Sequence, residues 1–359
     1  MFSLNCQLFI GSLELDFVHE VTIESSWQKF TDTATITLPR KIKILSGQQL
    51  PDVIQVGDVV VIRYGYNGEY RTEFTGVVSA LKSGSPFTVS CEDFMWYFKR
   101  KAVSYSWRSI TLTELLTYLQ HEYLEYFPPR GFEFKVLGEV NLGKYLINQA
   151  TAAQVFDDLK KRFLLNFFFR EGVLYANKPY EEQAERHRYG FTQNVIESDL
   201  TFVKANDQSI IFRGASTQPD GKKVAFDYNP RTDVVHINAP KERRHKGDAV
   251  PTPAVTAATG KASGNGQIRT LLVPPGLNGK ELEKAVRAAA AQICFDGYRG
   301  EGLLSFGLPI ANHGDIADLH DPDYPERSGA YYIDAVTKTF GINGSRRKIK
   351  LGPKAPPET

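Results

Sequence analysis

The chain has 359 residues, of which 42% are hydrophobic and 12% aromatic, and its 43 Lys and Arg against 41 Asp and Glu give a formal net charge of +2. One hydrophobic core rarely grows beyond about 250–300 residues, so two or three domains are expected. The composition excludes wholesale disorder, and the near-balanced charge gives no basic footprint for nucleic-acid specificity.

Residues 1–100 read as strands. Leu4, Gln7 and Phe9, then Leu13, Leu15 and Phe17, predict an opening hairpin turning at Gly11-Ser12. The alternating run 33–38 stops at Pro39, and 59–64 is a β-branched run entered through Gly57-Asp58. Asn67-Gly68 is a hairpin turn signal, because both residue types tolerate positive φ. Residues 74–81 are the returning strand and 87–91 one more, a spacing that reads as a small barrel or sandwich. The period then changes. Thr111 and Glu114 have capping-box spacing ahead of a helical stripe of Leu112, Leu115, Leu116, Leu119 and Tyr123 ended by Pro128-Pro129. Thr151 and Gln154 repeat the box before Val155, Phe156, Leu159 and Phe163, and a hairpin turning at Glu171-Gly172 follows. Residues 101–196 are therefore expected to form a small α+β module.

Strands resume at 200–203, 209–214 and 224–228. Residues 241–280 are rich in Pro, Gly, Ala and Thr and begin with the basic run Lys241–Lys246. That stretch reads as an inserted flexible arm with a solvated charge cluster. Asn278 and Glu281 cap a helix with Leu282, Ala285, Val286, Ala289 and Ile293 inward, completing an insertion over 241–296. Strands at 302–308, 331–340 and 348–351 follow, and 353–359 reads as a disordered tail.

Two segments share a layout. Leu50-Pro51, Gly57-Asp58 and the strand from Phe74 through Gly76 to Val78 match Leu308-Pro309, Gly314-Asp315 and the strand through Tyr332 and Ile333 to Ala335. Asp58 lies 20 residues before Val78, and Asp315 lies 20 before Ala335. In both, Gly-Asp turns the chain into a strand and a hairpin returns. The expected fold is mainly β with an α+β insertion: two related small, tube-like β-barrels, one at 1–100 and a discontinuous one at 197–240 and 297–352, plus the α+β module. Gly57, Asp58, Phe74, Gly76, Gly314, Asp315, Tyr332 and Ile333 are the residues expected in the assembly hairpins.

Chemical constellations are weak. His313, Asp315, Asp318, His320, Asp321 and Asp323 are metal-ligand types without a metal-site spacing, and read as a polar loop. Glu92 and Asp93 stand beside Phe94, Trp96, Tyr97 and Phe98, but adjacent strand residues point to opposite faces and do not flank one bond. No nucleophile elbow, P-loop or dinucleotide fingerprint occurs, and Gly260–Gly266 reads as a flexible tip. No catalytic, metal or cofactor residues are expected, and no enzymatic activity. Cys6, Cys91 and Cys294 are odd in number and far apart, consistent with reduced thiols and folding in a cytosol. The N-terminus alternates like a strand without a basic leader, and no apolar run reaches the ~18 residues that cross a bilayer, so neither a signal peptide nor membrane insertion is expected.

The run 56–66 (VGDVVVIRYGY), with Phe74-Thr-Gly-Val-Val78 and 89–96 (VSCEDFMW), resembles the baseplate hub family of contractile tails, which includes the Mu-like 43–45 kDa tail proteins and the late control protein D group. Trp107 followed by 111–119 is similar to the family's helical segment. Residues 328–338 and 349–352 are similar to its closing strands, with a departure at Lys338, where family members often carry His. The resemblance implies a homotrimer of two-barrel subunits, presenting six similar barrels as a pseudo-sixfold ring. Such a ring seats a tail tube or tube-initiator protein on one face and a spike protein trimer on the other, among other baseplate proteins. It would assemble in the bacterial cytoplasm and end in a virion baseplate or injection particle. The spike is expected on a separate chain, since nothing after residue 352 forms a needle. The alternative is a glycan-binding or cell-wall-degrading tail module, prompted by Trp27, Trp96 and Trp107. A separate lytic domain after the second barrel is not expected.

Overall fold

The computed structural model describes residues 3–356, apart from 40–49, 128–129, 182, 206–208, 219–221, 239–266, 301 and 326–327. The Lys241–Lys246 cluster, the Gly260–Gly266 tip, most of the expected arm, the Pro128-Pro129 stop and 357–359 lie outside the described residues. The chain is mainly β with a small helical part. It divides into two compact units, one of Met1–Lys161, Leu165–Leu200 and Arg299–Thr359, the other of Arg162–Leu164 and Thr201–Tyr298.

The larger unit opens with β1 (Leu4–Ile10), β2 (Leu13–Leu15), β3 (Glu20–Ser26), β4 (Thr33–Leu38), the short α1 (Leu50–Val53), β5 (Val59–Tyr66), β6 (Glu69–Lys82) and β7 (Phe87–Glu92). These strands form because apolar residues alternate: Cys6, Leu8 and Ile10 in β1, Ala34, Ile36 and Leu38 in β4, and Phe87, Val89 and Cys91 in β7 all point into one core. Each fully buried Leu, Ile, Val or Phe there contributes about 1.5–3 kcal/mol, spread evenly enough to fix which face of every strand looks inward.

The α+β module follows: α2 (Met95–Phe98), β8 (Ala102–Thr111), α3 (Leu112–Glu122), β9 (Glu133–Leu137), β10 (Asn141–Thr151), α4 (Ala152–Phe163), β11 (Asn166–Arg170) and β12 (Val173–Asn177). Both expected capping boxes form. Glu114 N–H donates to Thr111 Oγ1 (3.3 Å) while Thr111 N–H donates to Glu114 Oε2 (2.8 Å), and Thr151 and Gln154 repeat the arrangement at 3.3 and 2.8 Å. Phe98 centres the core, with ring contacts to Tyr123, Phe127, Phe132, Phe156 and Phe169. The long strands β8 and β10 pair as a separate two-stranded ribbon.

The chain then returns to the first sheet through β13 (Arg186–Gly190) and β14 (Val195–Ser198). After β15 (Thr201–Val203) and the smaller unit come β21 (Leu303–Phe306), β22 (Ile316–His320), β23 (Gly329–Gly341) and β24 (Gly344–Lys354). The smaller unit holds a four-stranded sheet of β16 (Ile210–Thr217), β17 (Lys223–Asn229), β18 (Val234–Asn238) and β19 (Gln267–Thr270). It also holds α5 (Gly279–Ala291), and β15 pairs with β20 (Gly297–Arg299). Leu282, Val286 and Ala290 of α5 pack on Ile210, Phe212, Val224, Phe226 and Tyr228 of the sheet.

Several sequence boundaries shift. Strands at 210–238 pair with one another and with 267–270, which was read as arm; among the described residues they do not join the 303–354 strands. The second half begins at Arg186 instead of 197, because the polar run 186–190 carries no alternating signal and only its inward side is covered. Ordered chain continues past 352, with Tyr331 opposite Lys354 and Ala355 N–H bonded to the Ala330 carbonyl (2.9 Å). Asn278 starts α5, yet its side chain makes no capping hydrogen bond.

The two halves of the larger unit are copies of one plan. Hydrogen bonding runs β3–β4–β7–β6–β5–β1 in the first half and β14–β21–β24–β23–β22–β13 in the second. The chain order of the matched strands is the same, and residues 201–298 fall where the first half has only the turn between β3 and β4. A register shift occurs between Val78 and Ala80 on β6 and between Ile333 and Ala335 on β23, each against the following strand. One pairing differs in sense: β1 is antiparallel to β5, whereas β13 is parallel to β22. The expected related halves are joined in one 13-stranded sheet, because β23 outlasts β22 and continues along β3, from Ala335 opposite Ser26 to Gly341 opposite Glu20.

Candidate functional site

The two Gly-Asp turns are built from the same hydrogen bonds. Gly57 N–H donates to the Val78 carbonyl (2.9 Å), and Val78 N–H donates to the Asp58 carbonyl (2.9 Å). Gly314 N–H donates to the Ile333 carbonyl (2.7 Å), and Ile333 N–H to the Asp315 carbonyl (2.8 Å). Each aspartate also folds back on the residue three before it: Asp58 Oδ2 accepts from Gln55 N–H (2.8 Å), and Asp315 Oδ2 accepts from Asn312 N–H (2.7 Å). Both glycines have positive φ, +104° and +88°. Val78 therefore corresponds to Ile333, two residues short of the Ala335 that equal spacing suggested, because the hairpin between β5 and β6 is longer than that between β22 and β23.

The other expected residues sit inside these hairpins. Phe74 is buried opposite Ile62, and its ring crowds Gly76, where an added Cβ would meet ring atoms at 2.8 Å and the Glu92 carbonyl oxygen at 2.1 Å. Ile333 is fully buried, and Tyr332 stacks on Tyr180 with ring centroids 4.3 Å apart. These side chains brace the turns from within and present little to a partner. Of the hairpin strands, β6 beyond Val77 lacks a second strand partner among the described residues.

The sequence reading missed a buried ion cluster at the seam where β23 meets β3. Glu73 of β6 accepts from one Arg347 nitrogen at 2.9 Å to each carboxylate oxygen, and from Lys338 Nζ at 2.8 Å. Side-chain exposure is 5% for Glu73, 7% for Lys338 and 2% for Arg347, so the charges are compensated by one another and not by water. Arg347 also donates to the Ala311 carbonyl (2.8 Å). Burial pushes the Glu73 carboxyl up, but Lys338 and Arg347 together hold it below the usual carboxylate range. Burial lowers Lys338 against the pull of Glu73. The available signal was a charged residue at an inward strand position, since Lys338 and Arg347 each alternate with less buried neighbours.

A cleft of about 390 Å³ opens beside this seam, lined by Asp32, Glu73, Asp93, Arg170, His313 and Lys338. Burial raises Asp32 to about 6 despite hydrogen bonds from Ser25 and Ser26, and raises Asp93 well above its ordinary value, helped by the charge of Asp32. Burial and the nearby Arg170 push His313 down to about 3, so it is neutral at pH 7 with Nε2 on the Phe169 carbonyl (3.2 Å). Asp93 accepts from Asp32 N–H and from Met95 N–H, the first residue of α2, both at 2.9 Å. Its neighbour Glu92 pairs with Lys99 (2.5 Å), so the two carboxylates serve different partners.

The 313–323 constellation is dispersed. Asp315 faces His187 (3.1 Å), Asp318 pairs with Arg186 (3.1 Å), and Asp321 accepts from the Asp323 and Tyr324 amides (both 3.1 Å). Among the described residues no group of three His, Cys, Asp or Glu side chains is placed to hold a metal ion. Trp27 donates to Asp334 (3.0 Å), and Trp96 lies under the Arg100 guanidinium, 3.8 Å from its ring centroid. Trp107 packs with Tyr105 and Tyr118.

No protein-family model matches this chain, and no curated protein matches it. Solved structures do. A tail protein from Neisseria meningitidis MC58 superposes with a TM-score of 0.62 at 12% identity, covering 97% of this chain and 96% of that one. The 43 kDa tail protein of prophage MuSo2 from Shewanella oneidensis gives 0.61 at 12% identity, over 98% and 100%. An E. coli component of the type VI secretion system, described as structurally similar to the T4 bacteriophage tail proteins gp27 and gp5, gives 0.54 at 10% identity, over 96% and 76%. The chain has the fold of these phage-tail and injection-system proteins.

Proposed function

We propose that this chain is a baseplate hub subunit, a structural protein that closes as a trimer into a pseudo-sixfold ring and joins a tail tube to the central spike of a contractile tail or injection machine. The observation that carries this reading is the duplication: one chain holds the same strand order, register shift and Gly-Asp turn twice. Three such chains supply six similar elements, which is what an adaptor between a sixfold tube and a threefold spike needs. The fold shared with tail and secretion-system proteins supports the same assignment. The partners follow from it: a tube or tube-initiator protein on one face, a spike trimer on the other, other baseplate proteins around the rim, and permanent interfaces of more than about 2,000 Å². A non-enzymatic role is supported by the cleft's Glu73, which is held by Lys338 and Arg347 in a buried ion cluster. The glycan-binding alternative draws less support, because Trp27 and Trp96 are already engaged within the fold. Native mass measurement of the purified chain tests the reading: a discrete trimer is expected, and a strict monomer at all concentrations contradicts it.

A further inference from the structure

The duplication says more than that the halves are alike, because one half has a neighbour that its copy lacks. On the side of β23 away from β24, β22 pairs along the first residues and β3 along the rest, from Ala335 to Gly341. The matching strand β6 has β5 on that side up to Val77 and, among the described residues, nothing beyond. The missing strand exists at the other end of the chain. β3 is bonded on both edges, to β4 and β23, whereas its counterpart β14 is, among the described residues, bonded only to β21 and ends the sheet path. The chain thus makes the barrel-to-barrel seam once, internally, and carries both halves of a second seam unmade.

We infer that the open edge of β6 in one copy receives the segment leading from β14 into β15 of the next copy, repeating between chains the β23–β3 pairing made within each. This rests on the ring-forming reading above and names which strands close the ring. The register carries over from the internal seam. Val21 faces Ile36 where Ser198 faces Leu303, and Asp199 N–H donates to the Gly302 carbonyl one step on (3.2 Å). Thr337, opposite Glu24, corresponds to Lys82, and Glu24 corresponds to Thr201. Lys82 of one copy is therefore set opposite Thr201 of the next. Exposure agrees: Val336 is 1% exposed under β3, whereas its counterpart Leu81 is only half-buried and is flanked by exposed Ala80 and Lys82. An unpaired edge of this kind is a ready template for another strand.

The second seam differs from the first in one respect. Lys338 and Arg347 correspond to Ser83 and Phe87, so the ion cluster is not repeated. The seam between copies then rests on backbone hydrogen bonds and apolar contact, and its salt dependence is low.

Lys82→Cys with Thr201→Cys in the full chain, on a Cys294→Ser background, tests the pairing. Both positions are exposed, so folding is retained. Directly opposed strand residues have Cβ atoms about 4.5–5.5 Å apart, close enough for mild oxidation to bridge. The double variant is expected to give covalent dimers and trimers that stop at three on a denaturing gel, with each single variant failing to form the trimer. A trimer by native mass with no cross-link overturns this seam and leaves the hub reading standing. Cross-linked species that extend past three support the seam and overturn the closed trimer.

Discussion

At the scale of single residues, Glu73 is the most informative side chain. It neutralises two buried cations on the other half of the sheet, so Glu73→Gln leaves Lys338 and Arg347 charged, buried and short of an anion. Breaking one partner out of a buried pair costs about 3–5 kcal/mol, and urea unfolding of the purified variant is expected to show a loss of that order. A loss below about 1 kcal/mol would mean that water reaches the cluster. The same cluster sets a pH profile. Glu73 has a folded pKa below its unfolded value, so its contribution is present above about 4.5 and is lost as pH falls through the folded pKa. Asp32 titrates the other way: with a folded pKa of about 6 against an unfolded 3.8, it favours the folded state increasingly as pH falls through 6. Asp93, also raised, adds to this. Thermal stability is expected to rise as pH falls from 7 through 6, with the loss of the Glu73 contribution opposing that gain below about 4.5, and Asp32→Asn should flatten the rise. None of this was legible in the sequence as chemistry, because Glu73, Lys338 and Asp32 are far apart in the chain and only the fold of both halves brings them together.

Among the elements, what was legible is what local physics decides. Alternation in β4 and β5, the Asn67-Gly68 turn and both Thr-led capping boxes form where their residues predict, since each depends on neighbours a few positions away. What was missed depends on tertiary cover. The run 186–190 became a strand because β22 pairs with it in parallel, and 267–270 because β16 does. The echo between the Gly-Asp turns was legible, but its register was off by two, because hairpin length is not readable from turn chemistry. The turns themselves make a graded prediction. At Gly57 an added Cβ meets only the Trp96 ring at 3.8 Å, whereas at Gly314 it lands 1.7 Å from an Arg170 guanidinium nitrogen. Both substitutions by Ala carry a backbone cost of about 1–2 kcal/mol at positive φ. Gly314→Ala is expected to lose clearly more in thermal denaturation, because Arg170 is itself buried and bonded to the Pro179 carbonyl. Equal losses would show that Arg170 moves aside freely.

For the whole molecule, the proposed stoichiometry rests on the duplication. A chain that repeats one sheet plan twice, makes the joint between the copies once and, among its described residues, leaves both halves of a second joint unpaired is suited to the head-to-tail closure inferred above. On the proposed hub reading, three copies are what an adaptor between a sixfold and a threefold neighbour requires. Neither the shared joint nor the open edges were visible before the strands were paired, although the repeat that creates them was. The most direct measurement is a symmetry-free class average of the assembled ring together with its mass. Three copies displaying six similar lobes are predicted. A ring of six copies, each contributing one lobe, would contradict the account.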